Sequence, residues 1–370
     1  MRFWIYLLPI ALNIGVLGRY RVQIYTMKIL HCADIHLDSP LVGVKDSGLR
    51  RHELLVALMN LSEYANNNGV SAIIVAGDLF DDNFTTSQTV ESVAEIVRTS
   101  KATWFVLRGN HGGSAPYDKL RELCPQVRLF SDSWTTYNLD NVAIVGRELG
   151  SNDAEQWSKL SLDSSRYNIL VLHGDVDDPH YGLIDKRVLS SCHARYVALG
   201  HRHAFAEHKF GSVRACYSGV LESRGFDELT ETGFVEIDTE RDMIRFVKQA
   251  VRSVVTKRID VTNISTDIEL QRALSDAVAD VAPRNYLNVV FCGTAATDLH
   301  IETVAKQLLS DRFFALRLKD ETQTKVDLKA IMDEVSLRGE FVKLAMNVAD
   351  DKLRDEIIKL GLAALSGGNL

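Results

Sequence analysis

The sequence predicts an α/β fold, with a main domain of strands and helices, a smaller α/β domain behind it and helices at the C-terminal end. Three observations carry that expectation. From Met27 onward, short apolar runs ending in polar residues alternate with longer segments of helical spacing. After His203 the runs become short and are separated by turn formers. Beyond residue 260, helical and strand-like stretches alternate again before three helical runs close the chain.

The elements follow in order. Lys28 to Cys32 reads as a strand leading into Ala33-Asp34-Ile35-His36, and Leu49 to Asn67 has helical spacing. Ala72 to Ala76 leads into Gly77-Asp78, Val90 to Arg98 is helical, and Trp104 to Leu107 runs into Arg108-Gly109-Asn110-His111. Asn168 to Leu172 precedes His173-Gly174-Asp175, and Tyr196 to Leu199 meets Gly200-His201-Arg202-His203. Val213 to Tyr217, Gly233 to Ile237 and Met243 to Val247 suggest a second, antiparallel sheet closing the main domain. Ile268 to Val281 and Ile301 to Leu309 are helical, while Tyr286 to Cys292 and Phe313 to Leu318 are strands. Lys325 to Glu334, Arg338 to Val348 and Lys352 to Leu365 finish the chain as helices, with Gly367-Gly368 as a frayed end. The expected divisions are an extension over 1–26, a main domain over 27–250, a small α/β domain over 251–322 and a helical segment over 323–370.

Composition bounds the function classes. The 370 residues are 46% hydrophobic and 25% charged, which excludes a wholly disordered or collagenous chain. Lys plus Arg is 42 against 49 acids, a formal charge of -7, so nucleic-acid binding needs a local patch or metals that offset acidic ligands. Residues 241–259 hold six basic side chains against one acid, a stripe that reads either as such a patch or as an edge strand protected by charge. Five cysteines without close pairs point to a reducing, cytoplasmic setting rather than a disulfide framework or zinc knuckle. The uncharged run from Phe3 to Leu17 is shorter than the roughly 20 residues a spanning helix needs, and it lacks a clear signal-cleavage pattern. Residues 1–26 are therefore expected to lie outside the fold, with no stable membrane partner.

The chemistry is concentrated at five strand ends, which supply Asp34, His36, Asp78, Asn110, His111, His173, His201 and His203. In open α/β sheets, ligands bind outside the carboxyl ends of strands. Asp34 and His36 stand two apart, so in an extended segment both side chains leave one face and can hold one ion. His201 and His203 repeat that spacing after Gly200, whose missing side chain lets backbone and ion approach closely. Asp78 has two carboxylate oxygens and is the natural bridge between two cations, while Asn110 adds a neutral oxygen. Mixed N and O ligands without thiolate favour Mn, Fe or Zn over a calcium-type site. Two such ions favour hydrolysis of a phosphoester by in-line attack. His111, beside Asn110, is the expected proton donor to the departing oxygen, or else a support for the ligands.

The ordered set Asp34-x-His36, Gly77-Asp78, Gly109-Asn110-His111, His173-Gly174 and Gly200-His201-x-His203 resembles the calcineurin-like metallophosphoesterase superfamily over roughly residues 27–240. The segments Ala76 to Asp81, Ala198 to His203, and Tyr217 to Glu222 followed by Phe226-Asp227-Glu228 are similar to its DNA repair exonuclease branch, which includes the bacterial SbcD subunit. The resemblance implies a four-layer metallophosphoesterase β-sandwich flanked by helices, a small α/β capping domain and C-terminal helices. It implies two divalent ions, Mn2+ by preference. Asp34, His36, Asp78 and His203 would hold one and Asp78, Asn110, His173 and His201 the other, with His111 catalytic. It further implies DNA as the substrate of exonuclease and endonuclease chemistry, an SbcC-like coiled-coil ATPase bound by the C-terminal helices, and a homodimer through helices near Leu49–Leu61 and Ser87–Val97.

The chain departs from the pattern of many superfamily members at Gly112, where Asp or Glu is common, from the break-repair motif at Ser218, where proline is usual, and at Arg202, larger than the residue often found between the histidines. Arg202 is weighed between a substrate phosphate and solvent, and Asp81 as a residue that orients a ligand near the first metal. Two other readings stand beside the nuclease. One is a phosphodiesterase for a small nucleotide or other phosphoester; the other is a non-catalytic scaffold subunit. The hundred or so residues after 260 favour DNA, which must be gripped over several phosphates.

Overall fold

The computed structural model describes residues 27–41, 45–81, 84–111, 113–149, 154–178, 182–296, 298–324 and 328–365. The N-terminal extension, Gly112 and the Gly367-Gly368 end lie outside the described residues.

Two six-stranded sheets face each other. In the first, β1 (Lys28–Cys32), β2 (Val70–Ala76), β3 (Thr103–Leu107) and β4 (Arg128–Leu129) pair in parallel, and β11 (Gly233–Asp238) and β12 (Met243–Lys248) continue it beyond β1 by antiparallel pairing. In the second, β6 (Val142–Gly146), β7 (Tyr167–His173), β8 (Ala194–Gly200) and β10 (Val213–Tyr217) pair in parallel. The edge strands β5 (Thr135–Leu139) and β9 (Ala206–Phe210) are antiparallel to their neighbours.

Both faces of each sheet are covered, which is why the central strands read as unbroken apolar runs instead of alternating ones. Ile29, Ile74 and Phe105 from one sheet meet Ile144, Ile169 and Ala198 from the other. On the outer face of the first sheet, Leu30, Ile73 and Trp104 pack against Leu54, Leu58 and Val93 from α1 (Ser47–Asn68) and α2 (Ser87–Thr99), with α3 (Ser114–Leu123) alongside. Asp46 accepts the Leu49 N–H at the start of α1, and Gly69, at φ 65°, ends it in the left-handed conformation. The outer face of the second sheet is covered by the short helices α4 (Ala154–Trp157) and α5 (Lys186–Ser191) through Trp157 and Leu189. The result is the expected four-layer sandwich flanked by helices.

A separate core lies behind it. Parallel β13 (Val254–Asp260), β14 (Tyr286–Cys292) and β16 (Ala315–Asp320) pack Leu287, Val289 and Phe291 against Leu270, Leu274 and Ala305 of α6 (Asp267–Ala277) and α7 (Ile301–Leu309). Strands β15 (Thr294–Ala295) and β17 (Gln323–Thr324) form a short pair. Helices α8 (Leu328–Asp333), α9 (Leu337–Ala345) and α10 (Asp351–Leu365) close around Ile331, Val342, Ile358 and Leu362. Among the described residues, no helix is long and apolar enough to cross a membrane.

One expectation is corrected and one open alternative is decided. The three runs after residue 213 do not form a sheet of their own: β10 joins the second sheet, and β11 and β12 return to the first. Apolar spacing marks a strand but does not name its partner. The basic stripe over 241–259 is not a free positive patch, because all six cations have acidic partners. Arg241 pairs with Asp238, Arg245 with Glu236, Lys248 with Glu231, Arg252 with Glu53, Lys257 with Asp280 and Arg258 with Glu321. Strand β12 is an edge of the first sheet.

Candidate metal centre

Because β1, β2 and β3 run parallel, as do β7 and β8, the residues after their carboxyl ends converge on one rim of the sandwich. The join is tight: the Asp34 N–H donates to Gly77 O at 3.1 Å, and the N–H groups of Ile35 and His36 both donate to Asp78 O at 2.9 Å. The extended geometry expected for Asp34 and His36 is replaced by left-handed backbone, with φ of 53° and 48°, and Asp78 sits at 49°. Each such residue costs about 1–3 kcal/mol and persists only where surrounding bonds over-determine it. Here the shared Asp78 carbonyl curls the segment, and the curl, not strand alternation, turns both side chains inward.

The side chains form two overlapping groups of potential ligands: Asp34, His36 and His203, and Asp34, Asp78 and His173, each with its ligand atoms within 4.8 Å of one another. His36 Nε2 lies 3.3 Å from His203 Nε2 and 3.8 Å from Asp78 Oδ2. His173 Nε2 lies 3.2 Å from Asp78 Oδ2 and 2.8 Å from Asn110 Oδ1, which is also 3.3 Å from His201 Nδ1. Asp78 Oδ2 therefore stands between the two sets of donors. Separations of this size suit nitrogen and oxygen ligands placed about 2.0–2.2 Å from a common cation. Asp34 is a member of both groups, whereas the resemblance assigns it to a single ion.

Bonds behind the ligands fix their orientation. His173 Nδ1 lies 2.9 Å from Ala76 O, so it carries one proton; burial opposes a second, but the hydrogen bond and charge of Asp78 raise the ring to about 9, so a cation at Nε2 would displace that proton. The His201 N–H donates to both carboxylate oxygens of Asp34 at 3.0 Å, and the His111 N–H donates to Asp78 Oδ1 at 2.9 Å. Gly77, at φ 102°, has no room for a side chain, since a Cβ there would lie 2.0 Å from His173 Nδ1. At Gly200 a Cβ would meet Ala76 O at 2.0 Å, so what approaches this glycine is backbone. The His111 ring is half-buried, 5.2 Å from that of His36.

Asp34 and Asp78 are each 1% exposed, so their negative charge needs compensation on the spot. Burial pushes the Asp34 carboxyl up to about 6, with the charge of Asp78 adding to it. Burial works against ionisation of Asp78 too, but the hydrogen bond and charge of His173 hold it below the usual range. Burial, joined by the charge of Arg224, drops His36 to about 3, which keeps it neutral and able to ligate. The buried carboxylates, neutral imidazole and amide oxygen together fit two divalent cations, whose binding would displace protons from the cluster.

Arg202 neither faces open solvent nor lies free. It donates to Asp175 through Nε at 2.8 Å and Nη2 at 2.7 Å, reaches Asp177 at 3.0 Å, and stacks 5.1 Å from the Tyr217 ring. That clasp ties the loop after His173 to the loop carrying His201 and His203. Asp81 is buried and belongs to neither ligand group. Two supporting residues went unassigned in the sequence: Asp175, and Glu228, whose Oε1 lies 2.9 Å from His203 Nδ1. The signals were Asp175 following His173-Gly174 and Glu228 ending Phe226-Asp227-Glu228. Beside Glu228 a cleft of about 930 Å3 opens between the sandwich and the small domain, lined by Lys45, Arg224, Phe226, Lys306, Phe314 and Arg317 among others.

Residues 27–205 match the family model of calcineurin-like phosphoesterases. The chain is 23% identical over 343 residues to the metallophosphoesterase YhaO of Bacillus subtilis, covering 82% of this chain and 83% of that protein. It is 23% identical over 263 residues to the DNA double-strand break repair protein Mre11 of Aeropyrum pernix, covering 63% and 64% of the two chains. Against Mre11 of Methanosarcina acetivorans the identity is 23% over 366 residues, covering 91% of this chain and 55% of the relative. The alignments thus span between about half and two-thirds of the two Mre11 proteins. Similar solved structures include an archaeal phosphodiesterase, at 14% identity and TM-score 0.38 over 60% of this chain and 100% of that one. Another is a dimetal phosphatase from Danio rerio, at 12% and 0.40 over 57% and 92%.

Proposed function

We propose that the protein is a metal-dependent DNA nuclease of the double-strand-break repair type that works with an SbcC-like coiled-coil ATPase. The observation that carries the reading is the convergence of seven nitrogen and oxygen donors, Asp78 among them, from five strand ends, with Asp34 within 4.8 Å of its neighbours and the closest contacts among the other six 2.8 to 3.8 Å long. Asp34, His36, Asp78 and His203 would hold one divalent ion and Asp78, Asn110, His173 and His201 the other, with manganese the activating ion. When bound, such a pair supplies Lewis acidity and lowers the pKa of water for in-line attack at phosphorus. The chain's own residues do the rest. Asp78 keeps the two positions together, His173 and His203 present oriented lone pairs, and His111 at the rim gives a proton to the departing oxygen.

DNA is favoured over a small phosphoester by the similarity to two Mre11 proteins. The partner reading is supported by the C-terminal helices, where Val342 and Ala345 are buried but Leu337, Leu344, Leu353 and Leu360 remain exposed. Deleting residues 325–370 should abolish co-purification with the ATPase; persistence of the complex would misassign that contact. A homodimer through α1 and α2 belongs to the same reading, with Leu49 and Met59 exposed on α1.

The test uses the full chain and Asp78→Asn with Mn2+, on end-labelled DNA and on a chromogenic phosphodiester. Degradation of DNA by wild type alone is the expected result. Cleavage of the small ester with DNA untouched would move the assignment to a small-substrate phosphodiesterase, and no cleavage of either, with or without the ATPase, to a scaffold.

A further inference from the structure

We infer that Glu228, held by Arg224, is the positioning residue that sets the ring orientation and tautomer of His203. The inference rests on the dinuclear reading above, and it concerns a pair of residues outside the ligand set.

Glu228 is 7% exposed, and both of its carboxylate oxygens are engaged. Oε2 accepts the Arg224 N–H at 2.7 Å. Oε1 accepts Arg224 Nε at 2.8 Å and Nη2 at 2.7 Å, and lies 2.9 Å from His203 Nδ1. Arg224 Nη2 also comes within 3.2 Å of the same ring nitrogen. Of these two neighbours only the carboxylate can accept a hydrogen bond from an Nδ1–H, and it is the nearer of the two, at 2.9 Å against 3.2 Å. With Nδ1 protonated, the lone pair stays on Nε2, the atom that faces His36 Nε2 at 3.3 Å. A protonated Nε2 would point an N–H into the cation position and remove a ligand. A carboxylate behind a ligating histidine both selects the tautomer and makes the ring a better donor.

The support is itself rigid. The Glu228 N–H donates to Gly225 O and Ser223 Oγ donates to Glu228 O, which closes the turn on itself. The His203 carbonyl accepts from the Val220 N–H and from Thr230 Oγ1, so the loop wraps the ligand from both sides. The small domain backs the same turn: Phe226 packs edge-on to Tyr286 at 5.1 Å, and Arg317 stacks over Phe226 at 5.0 Å and pairs with Asp227. The turn that orients one ligand of the metal centre is thus seated on the neighbouring domain.

The test is Mn2+ binding by the full-length protein, followed by the electron paramagnetic resonance of free Mn2+, for wild type, Glu228→Ala and Glu228→Gln. Wild type should bind two ions. Glu228→Ala should bind one of them about 10- to 100-fold more weakly while the other is unchanged. Glu228→Gln, which keeps an acceptor oxygen, should lose less. Two ions at unchanged affinity in Glu228→Ala would overturn the inference and leave the dinuclear reading standing, whereas no binding by wild type would overturn both. Nitrogen-15 NMR of histidine-labelled, metal-free wild type, with His203 assigned through His203→Gln, gives a readout that does not depend on a variant folding. The Nδ1–H tautomer is expected, and an Nε2–H tautomer would overturn the inference.

Discussion

Gly77 and His111 touch the centre in different ways, and substitutions at them should separate assembly from chemistry. Gly77 combines φ of 102° with a Cβ position 2.0 Å from His173 Nδ1, so Gly77→Ala must move the imidazole and break its bond to Ala76 O. The expected outcome is a loss of about 1–3 kcal/mol in stability, read from urea midpoints, together with weakened Mn2+ binding. His111 contributes its backbone N–H to Asp78, which survives side-chain replacement. His111→Asn should therefore keep the wild-type metal content and lower turnover by about 100-fold or more, the usual range for removing a general acid. An equal loss of bound metal would return His111 to a supporting role.

Strand β1 carries an acid-sensitive group unrelated to the ligands. His31 is fully buried between the sheets, and its Nδ1 shares a hydrogen bond with the Tyr196 hydroxyl at 2.9 Å, linking β1 to β8. Burial lowers its pKa to about 3. The unfolded chain, with an ordinary pKa near 6.5, then binds more protons than the folded one between those values. Stability is highest above pH about 6.5 and falls as pH drops toward 3, at up to about 1.4 kcal/mol per pH unit. His31→Gln removes the titrating group, so its urea midpoint should vary less between pH 7.5 and 4.5 than that of wild type. Elements with long apolar or helical patterns were legible in the sequence: β14 and α7 coincide with the expected Tyr286–Cys292 and Ile301–Leu309. Strands β5 and β9 were not, because their half-exposed mixed sequences, TTYNL and AEHKF, become strands only when β6 and β10 offer an edge.

The sandwich and the small domain meet at a buried ionic network. Arg50, fully buried, bonds to Glu53, to the Ser223 carbonyl and to Glu222 at 2.9 Å. Arg252 reaches Glu53 at 2.5 Å through Nη2 and donates to Arg284 O. Glu222 also accepts the N–H groups of Val251 at 2.7 Å and Arg252 at 3.0 Å, where the chain passes into the small domain. Removing one partner from such a pair strands a buried charge and costs about 3–5 kcal/mol. Glu222→Gln should lower global stability by that order and make the 249–253 joint cleave faster in limited proteolysis. An unchanged melting profile and cleavage rate would show that the joint is held by apolar contacts instead.

The sequence by itself marked the candidate donor residues that the fold brings together. A metal ligand must be a particular donor atom, and Asp34, His36, Asp78, Asn110, His173, His201 and His203 announce themselves by type and by their place just after apolar strands. It also determined the layered α/β class, because apolar periodicity follows from burial. The tertiary structure decided what depends on contacts far apart in the chain. It bent Asp34 and His36 into left-handed backbone around the Asp78 carbonyl, took Arg202 to Asp175, neutralised the basic stripe over 241–259, and set Glu228 behind His203. Each of those outcomes is a choice among partners that local sequence leaves equally available, and only packing two sheets and a second domain together selects one.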